Sequence, residues 1–258
     1  MELMQNFGLT FSKYLRENSR QLLIKMLGLL AVLVVLALWI GYAYNMDSYA
    51  YYMKYDLAHS TELAFFAIIL LFLAMGGASE VMAFMNTKEH RISTLMTPST
   101  QLSKFLSAWI INVPVLVGVY MAFAYFADFV RYAVYSSLDI PDTYVMPFSF
   151  KSNDIPSEVI QAYFMFVIFL QSLFVLGGTI WSSRAYIKTI IALVAVGLLY
   201  SALVSLGFNL TMSGGHYHRI FSDEPSLTAM WIANIAVSLG IYVLAYFRFK
   251  ESEIINRW

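Results

Sequence analysis

Residues 76–109 read GGASEVMAFMNTKEHRISTLMTPSTQLSKFLSAW, and they interrupt a chain that is otherwise mostly hydrocarbon. The apolar run entering this stretch is expected to end at Met85. A polar turn follows, Asn86-Thr87-Lys88-Glu89-His90-Arg91, then an apolar-faced piece over 92–96, then Thr97-Pro98-Ser99. Thr97 can cap the next helix, with Pro98 at its first position, where a missing N–H costs nothing. Leu102, Phe105, Leu106, Trp109 and Ile110 then fall at helical spacing on one face, with Lys104 expected at the water boundary. The stretch predicts a short exposed helix held between two long apolar segments, well placed to be pushed by a soluble partner.

Composition sets the environment around that helix. Of 258 residues, 60% are hydrophobic and only 12% charged, whereas a soluble domain has roughly a quarter charged. The expected class is an all-α polytopic membrane protein. Sixteen basic residues balance sixteen acidic ones, which gives no reason to expect nucleic-acid binding. There is no cysteine, so thiol catalysis, disulfides and Cys-based metal sites are excluded. Glu2 and other polar residues precede the first apolar run, which is unlike a cleavable signal peptide.

Six apolar segments follow at about 22–44, 63–85, 106–129, 159–181, 186–208 and 227–247, each near the ~20 residues that cross a bilayer. Pro114 falls inside the third and should kink it or sit near its inner end. Residues 1–21 are expected to form an amphipathic helix lying on the membrane surface, with Phe7, Phe11, Tyr14 and Leu15 on its apolar face. Its plainer alternative is a frayed, basic start to span one.

Lys13, Arg16, Arg20, Lys25, Lys88, Arg91, Lys104, Arg184, Lys188, Arg248, Lys250 and Arg257 fall on one side, against Lys54, Arg131, Lys151 and Arg219 on the other. The positive-inside rule then makes both termini cytoplasmic. Asp47, Asp56, Asp128, Asp139, Asp142, Asp154, Asp223 and Glu224 are assigned to acidic outer loops, the longest of which runs over 131–157.

The absences narrow the chemistry. No phosphate-cradling Gly-rich loop with its Lys-Ser/Thr is present, nor a His-Glu-x-x-His helix, nor a Gly-x-Ser-x-Gly elbow. His216 and His218 could share a metal only with a third ligand that the sequence does not offer, so no metal site is expected. An intramembrane enzyme is disfavoured because no pair of carboxylates or histidines stands at a shared depth within the expected spans. Gln171 and Glu80 are the costly polar groups inside those spans. Gln171 is expected to hydrogen-bond a neighbouring helix. Glu80 is expected to pair with Arg91, Lys104 or Arg184 and so fix the cytoplasmic helix to span two. Gly197, Ser201 and Ser205 form a small-residue stripe suited to close packing, within the subunit or across a dimer.

Two stretches carry a resemblance. Leu95-Met96-Thr97-Pro98-Ser99 with Leu102-Ser103-Lys104-Phe105-Leu106, and Gly177-Gly178-Thr179-Ile180-Trp181 with Arg184-Ala185-Tyr186-Ile187-Lys188-Thr189, resemble the cytoplasmic loops of ABC-2-type (type V) transporter permeases. The likeness is to the small permease-like membrane proteins of Bacteroidetes in particular. It implies six transmembrane helices, N-in and C-in, an N-terminal elbow helix and a cytoplasmic coupling helix between spans two and three. It further implies an exporter subunit of the bacterial inner membrane, paired with an identical or related permease and driven by a separate cytoplasmic ABC ATPase. ATP and magnesium would belong to that partner, and this chain would hold no cofactor. Lys88, Glu89, His90, Arg91, Thr97, Ser99 and Arg184 would touch the ATPase. Gly197, Ser201 and Ser205 would face the partner subunit or the translocation path. The alternative from another class is a membrane scaffold or regulatory subunit of an envelope complex, binding through its acidic, aromatic outer loops.

Overall fold

The computed structural model describes residues 2–45, 54–83, 99–137, 157–181, 184–212 and 227–255. Among them there is no strand. The helices are α1 (Glu2–Asn45), α2 (Lys54–Glu80), α3 (Gln101–Ile110), a π-helical turn (Ile111–Val115), α4 (Leu116–Ser137), α5 (Ser157–Ile180), α6 (Ala185–Met212) and α7 (Leu227–Ile255). With α3, the π turn and α4 counted as one rod, six helices among the described residues are long and apolar enough to cross a membrane.

The expected surface helix and span one are a single element. α1 runs for 44 residues with no break at residue 21. The reason is local: Arg20, Gln21, Leu22 and Leu23 all favour helix, and the two weaker formers before them bond back into it. Asn18 Nδ2 donates to the Tyr14 carbonyl at 3.2 Å, and Ser19 Oγ to that of Arg16 at 3.0 Å. At 1.5 Å per residue α1 extends for about 66 Å, roughly twice the hydrocarbon thickness.

The rod after the polar stretch starts later than Thr97-Pro98 suggested. Its N-cap is Thr100, whose hydroxyl accepts from the Ser103 N–H at 3.3 Å and pairs with the Ser103 hydroxyl at 2.7 Å. Pro114 lies inside the π turn. Proline lacks the N–H that would continue the ladder, and the wider π turn, a rare single-turn bulge within an α-helix, accommodates that loss here. The irregularity is thus where the sequence placed a proline, and the helix continues to Ser137, eight residues past the expected end of span three.

Contacts between helices fix their directions. Tyr14 meets Asn112 near one end, while Tyr135 Oη donates to the Leu38 carbonyl at 2.9 Å near the other, so α1 and the α3–α4 rod run parallel. Lys25 meets Glu80, and Glu62 meets Arg131, so α2 runs against them. α5 is parallel to α2, since Tyr163 reaches Ala67 and Gly178 reaches Ser79. The helices leave two buried clusters. One gathers Met75, Ala78, Phe105, Phe174 and Phe249 toward the Glu80 end; the other gathers Leu33, Phe66, Leu70, Tyr120 and Ala124 toward the Glu62 end.

Candidate functional site: a buried ionic cluster and the joint at the opposite end

Glu62, Asp128 and Arg131 come together inside the bundle, at 2%, 0% and 3% exposure. Arg131 Nη2 donates to Asp128 Oδ1 at 2.6 Å and its Nε to the same oxygen at 3.0 Å. Its Nε also lies 3.5 Å from Glu62 Oε2. Asp128 and Arg131 are neighbours on α4 at i, i+3, which pre-aligns them; α2 supplies Glu62. Charges this buried persist only when paired, because desolvation costs each several kcal/mol. The trio therefore fastens α2 to α4.

This overturns two expectations. Asp128 and Arg131 are not outer-loop residues, because α4 carries them within the bundle. Glu62 and Asp128 are two carboxylates at one depth, so the stated ground against an intramembrane acid pair does not stand. The signal was present: an acid and a base three apart, with Phe129-Val130 between them and Tyr132-Ala133-Val134 beyond, suits a continuing helix rather than a loop.

Beside the cluster, tyrosines hold α2 through its backbone. Tyr120 Oη donates to the Phe66 carbonyl and Tyr163 Oη to the Ala67 carbonyl, both at 2.6 Å. A helical carbonyl keeps a second lone pair, and a phenol buried in hydrocarbon must place its proton somewhere.

The other end of the bundle is a different joint. Lys25 Nζ donates to Glu80 Oε2 at 2.6 Å, with both side chains about half exposed. Glu80 therefore pairs with α1 and not with Lys104 or Arg184, while Arg91 lies outside the described residues, and the pair is not buried. Asn112 Nδ2 donates to Tyr14 Oη at 3.1 Å. Lys104 is buried and not at the water boundary. α2 comes very close to the π turn at Gly77, where an added Cβ would stand 2.6 Å from the Asn112 carbonyl oxygen. Gly178 of α5 also lies close to α2, a Cβ there standing 3.1 Å from the Ser79 carbonyl oxygen.

The remaining sequence-predicted residues scatter. Lys88, Glu89, His90, Arg91 and Thr97 lie outside the described residues, as do His216 and His218. Ser99 precedes the Thr100 cap, with a buried hydroxyl that has no hydrogen-bond partner among the described residues. Arg184 is exposed at the start of α6 and holds a left-handed backbone, φ 52°. Gln171 is buried, but its Nε2 meets no hydrogen-bond partner among the described residues, against expectation. Gly197 has open space where a Cβ would go, and Ser201 is exposed and bonds only within α6, to the Leu198 carbonyl at 2.9 Å. That part of the stripe does not pack inside this subunit; the Ser205 side chain lies outside the described set. Among the described residues no three His, Asp or Glu side chains gather in a metal-binding group.

Fold and site define a multi-pass helical membrane protein, tied at one end by a buried ionic cluster and at the other by glycine-mediated helix contact. The chain matches no protein-family model, no curated protein and no solved structure.

Proposed function

We propose that the chain is the membrane-spanning permease subunit of an ABC-2-type exporter, coupling ATP hydrolysis by a separate cytoplasmic ATPase to substrate movement. The observation that carries the proposal is the joint at the Glu80 end. Residues 84–98 follow the buried Val81 and Met82 in the chain and precede the buried Ser103, Lys104 and Phe105. The same joint takes in α1 through Lys25 and Tyr14. A push on residues 84–98 would therefore reach α1, α2 and the α3–α4 rod together, which is what a coupling element needs. Close-packed glycine contacts favour discrete helix arrangements over gradual bending, and such bistable packing is the substrate of a switch.

In this reading Lys88, Glu89, His90, Arg91, Thr97, Ser99 and Arg184 form the ATPase-facing surface. The positive-inside rule puts that surface, and both termini, in the cytoplasm, and the resemblance to ABC-2-type permeases would make the membrane a bacterial inner one. A second permease, identical or related, would cover part of the open face of α6 that carries Gly197 and Ser201.

Purification in mild detergent tests the proposal. An ATPase should co-purify, and this chain should stimulate its turnover. Charge reversal at Glu89 and Arg91 should weaken both. Full function of the purified chain alone would overturn the reading, and so would unchanged assembly and turnover in the charge-reversed variants. Recovery of an envelope protein with no ATPase would favour the scaffold alternative.

A further inference from the structure

Helices α5 and α7 form the most extensive helix pair among the described residues. They run parallel and in step. Trp231 Nε1 donates to Gln161 Oε1 at 3.4 Å near one end, and Val175 and Ala245, each fourteen residues further along its own helix, share one core cluster. Between those levels three buried polar atoms have no hydrogen-bond partner among the described residues: Asn234 Oδ1, Ser238 Oγ and Gln171 Nε2. Ser238 is 2% exposed and Gln171 4%. Trp231, Asn234 and Ser238 follow one another at i, i+3 and i+7, so they line a single face of α7. In the shared register Gln171 stands about one turn deeper than Ser238, and about 15 Å along the axis from Gln161. That is roughly half the hydrocarbon thickness.

Natural proteins satisfy nearly all buried donors and acceptors, and ordered water completes many that no side chain reaches. A serine inside a helix ordinarily returns its proton to its own backbone, as Ser107, Ser172 and Ser201 do here; Ser238 does not. We propose that the α5–α7 seam is a hydrated polar path, entered beside Gln161 and Trp231 and reaching Gln171 near mid-membrane. Its lining offers a donor, an acceptor and a hydroxyl that serves as either. Residues 161–175 and 231–245 contain no charged side chain. The path therefore suits water and small uncharged hydrogen-bonding solutes rather than ions. It is independent of whether an ATPase drives the protein.

The cysteine-free sequence allows a direct test. Asn234→Cys, Ser238→Cys and Gln171→Cys are made singly, with Val237→Cys and Leu239→Cys as controls on the outward side of α7, where those residues are 52% and 57% exposed. The full-length variants in intact membranes are treated with methyl methanethiosulfonate, which is small and neutral and reacts with the thiolate, a form that requires water. Labelling is read by mass spectrometry. Asn234→Cys and Ser238→Cys should react severalfold faster than both controls, with Gln171→Cys slower than these two yet above the controls. Ser238→Cys changes one atom, and labelling after denaturation confirms that every thiol is present. If Asn234→Cys and Ser238→Cys react no faster than the controls in membranes, yet fully once denatured, the seam is dry and the proposal is overturned.

Discussion

Arg131 is the residue on which the α2–α4 contact turns. Its removal would strand two buried carboxylates, and breaking a buried pair costs about 3–5 kcal/mol. Arg131→Met should therefore lower the unfolding temperature in detergent more than Glu62→Gln, which leaves Arg131 with Asp128 at 2.6 Å. A smaller drop for Arg131→Met than for Glu62→Gln would contradict the cluster as described. Arg184 poses the opposite case. Its left-handed backbone costs a non-glycine residue about 1–2 kcal/mol. Arg184→Gly should hold or raise thermal stability, and Arg184→Val should lower it. If Arg184 touches an ATPase, Arg184→Gly should also reduce ATPase stimulation while the fold stays intact, which separates strain from contact.

Among the elements, α2 is held from three sides: by the ionic cluster, by tyrosines on its carbonyls and by glycine contact with the π turn. Gly77→Val would drive a side chain into the Asn112 carbonyl and Leu116. It should cost more than the ~1–3 kcal/mol of ordinary overpacking, because backbone must move. Gly197→Ala meets open space and should be neutral or slightly stabilising through better helix propensity. Unfolding temperatures of the two variants, measured side by side, check the contrast. Equal effects would mean that α2 and the π turn do not approach as described. Tyr120→Phe removes one carbonyl contact and should cost about 1 kcal/mol, visible as a small shift in the same measurement.

For the whole molecule, the alternation of helix direction puts the Lys25–Glu80 joint and the Glu62–Arg131 cluster at opposite ends of the bundle. Single cysteines at Arg16 and Arg184 should therefore be modified from one side of the membrane and a cysteine at Ser157 from the other. Labelling of Arg16→Cys and Arg184→Cys from opposite sides would break the assigned topology. The half-exposed Lys25–Glu80 pair should contribute less than about 1 kcal/mol to stability. Its effect should show instead in movement of the joint. Exchanging the two charges, Lys25→Glu with Glu80→Lys, should preserve coupling that either single reversal impairs.

Much of this architecture was legible before any coordinate. Span length and apolar composition are one-dimensional properties, since a bilayer sorts a chain by local transfer free energy. Pro114 likewise announced its own disturbance, because a missing N–H acts on the nearest turn. Capping was less secure: Thr97 and Thr100 both precede an apolar face, and only backbone geometry selects Thr100. What the sequence could not settle was pairing. Which cation meets Glu80, whether Asp128 and Arg131 face water or Glu62, and whether Gln171 finds a partner all depend on how the helices are rotated about their axes. That rotation follows from packing summed over the whole bundle, where close approaches such as Gly77 on the π turn and Gly178 on α2 set which faces meet.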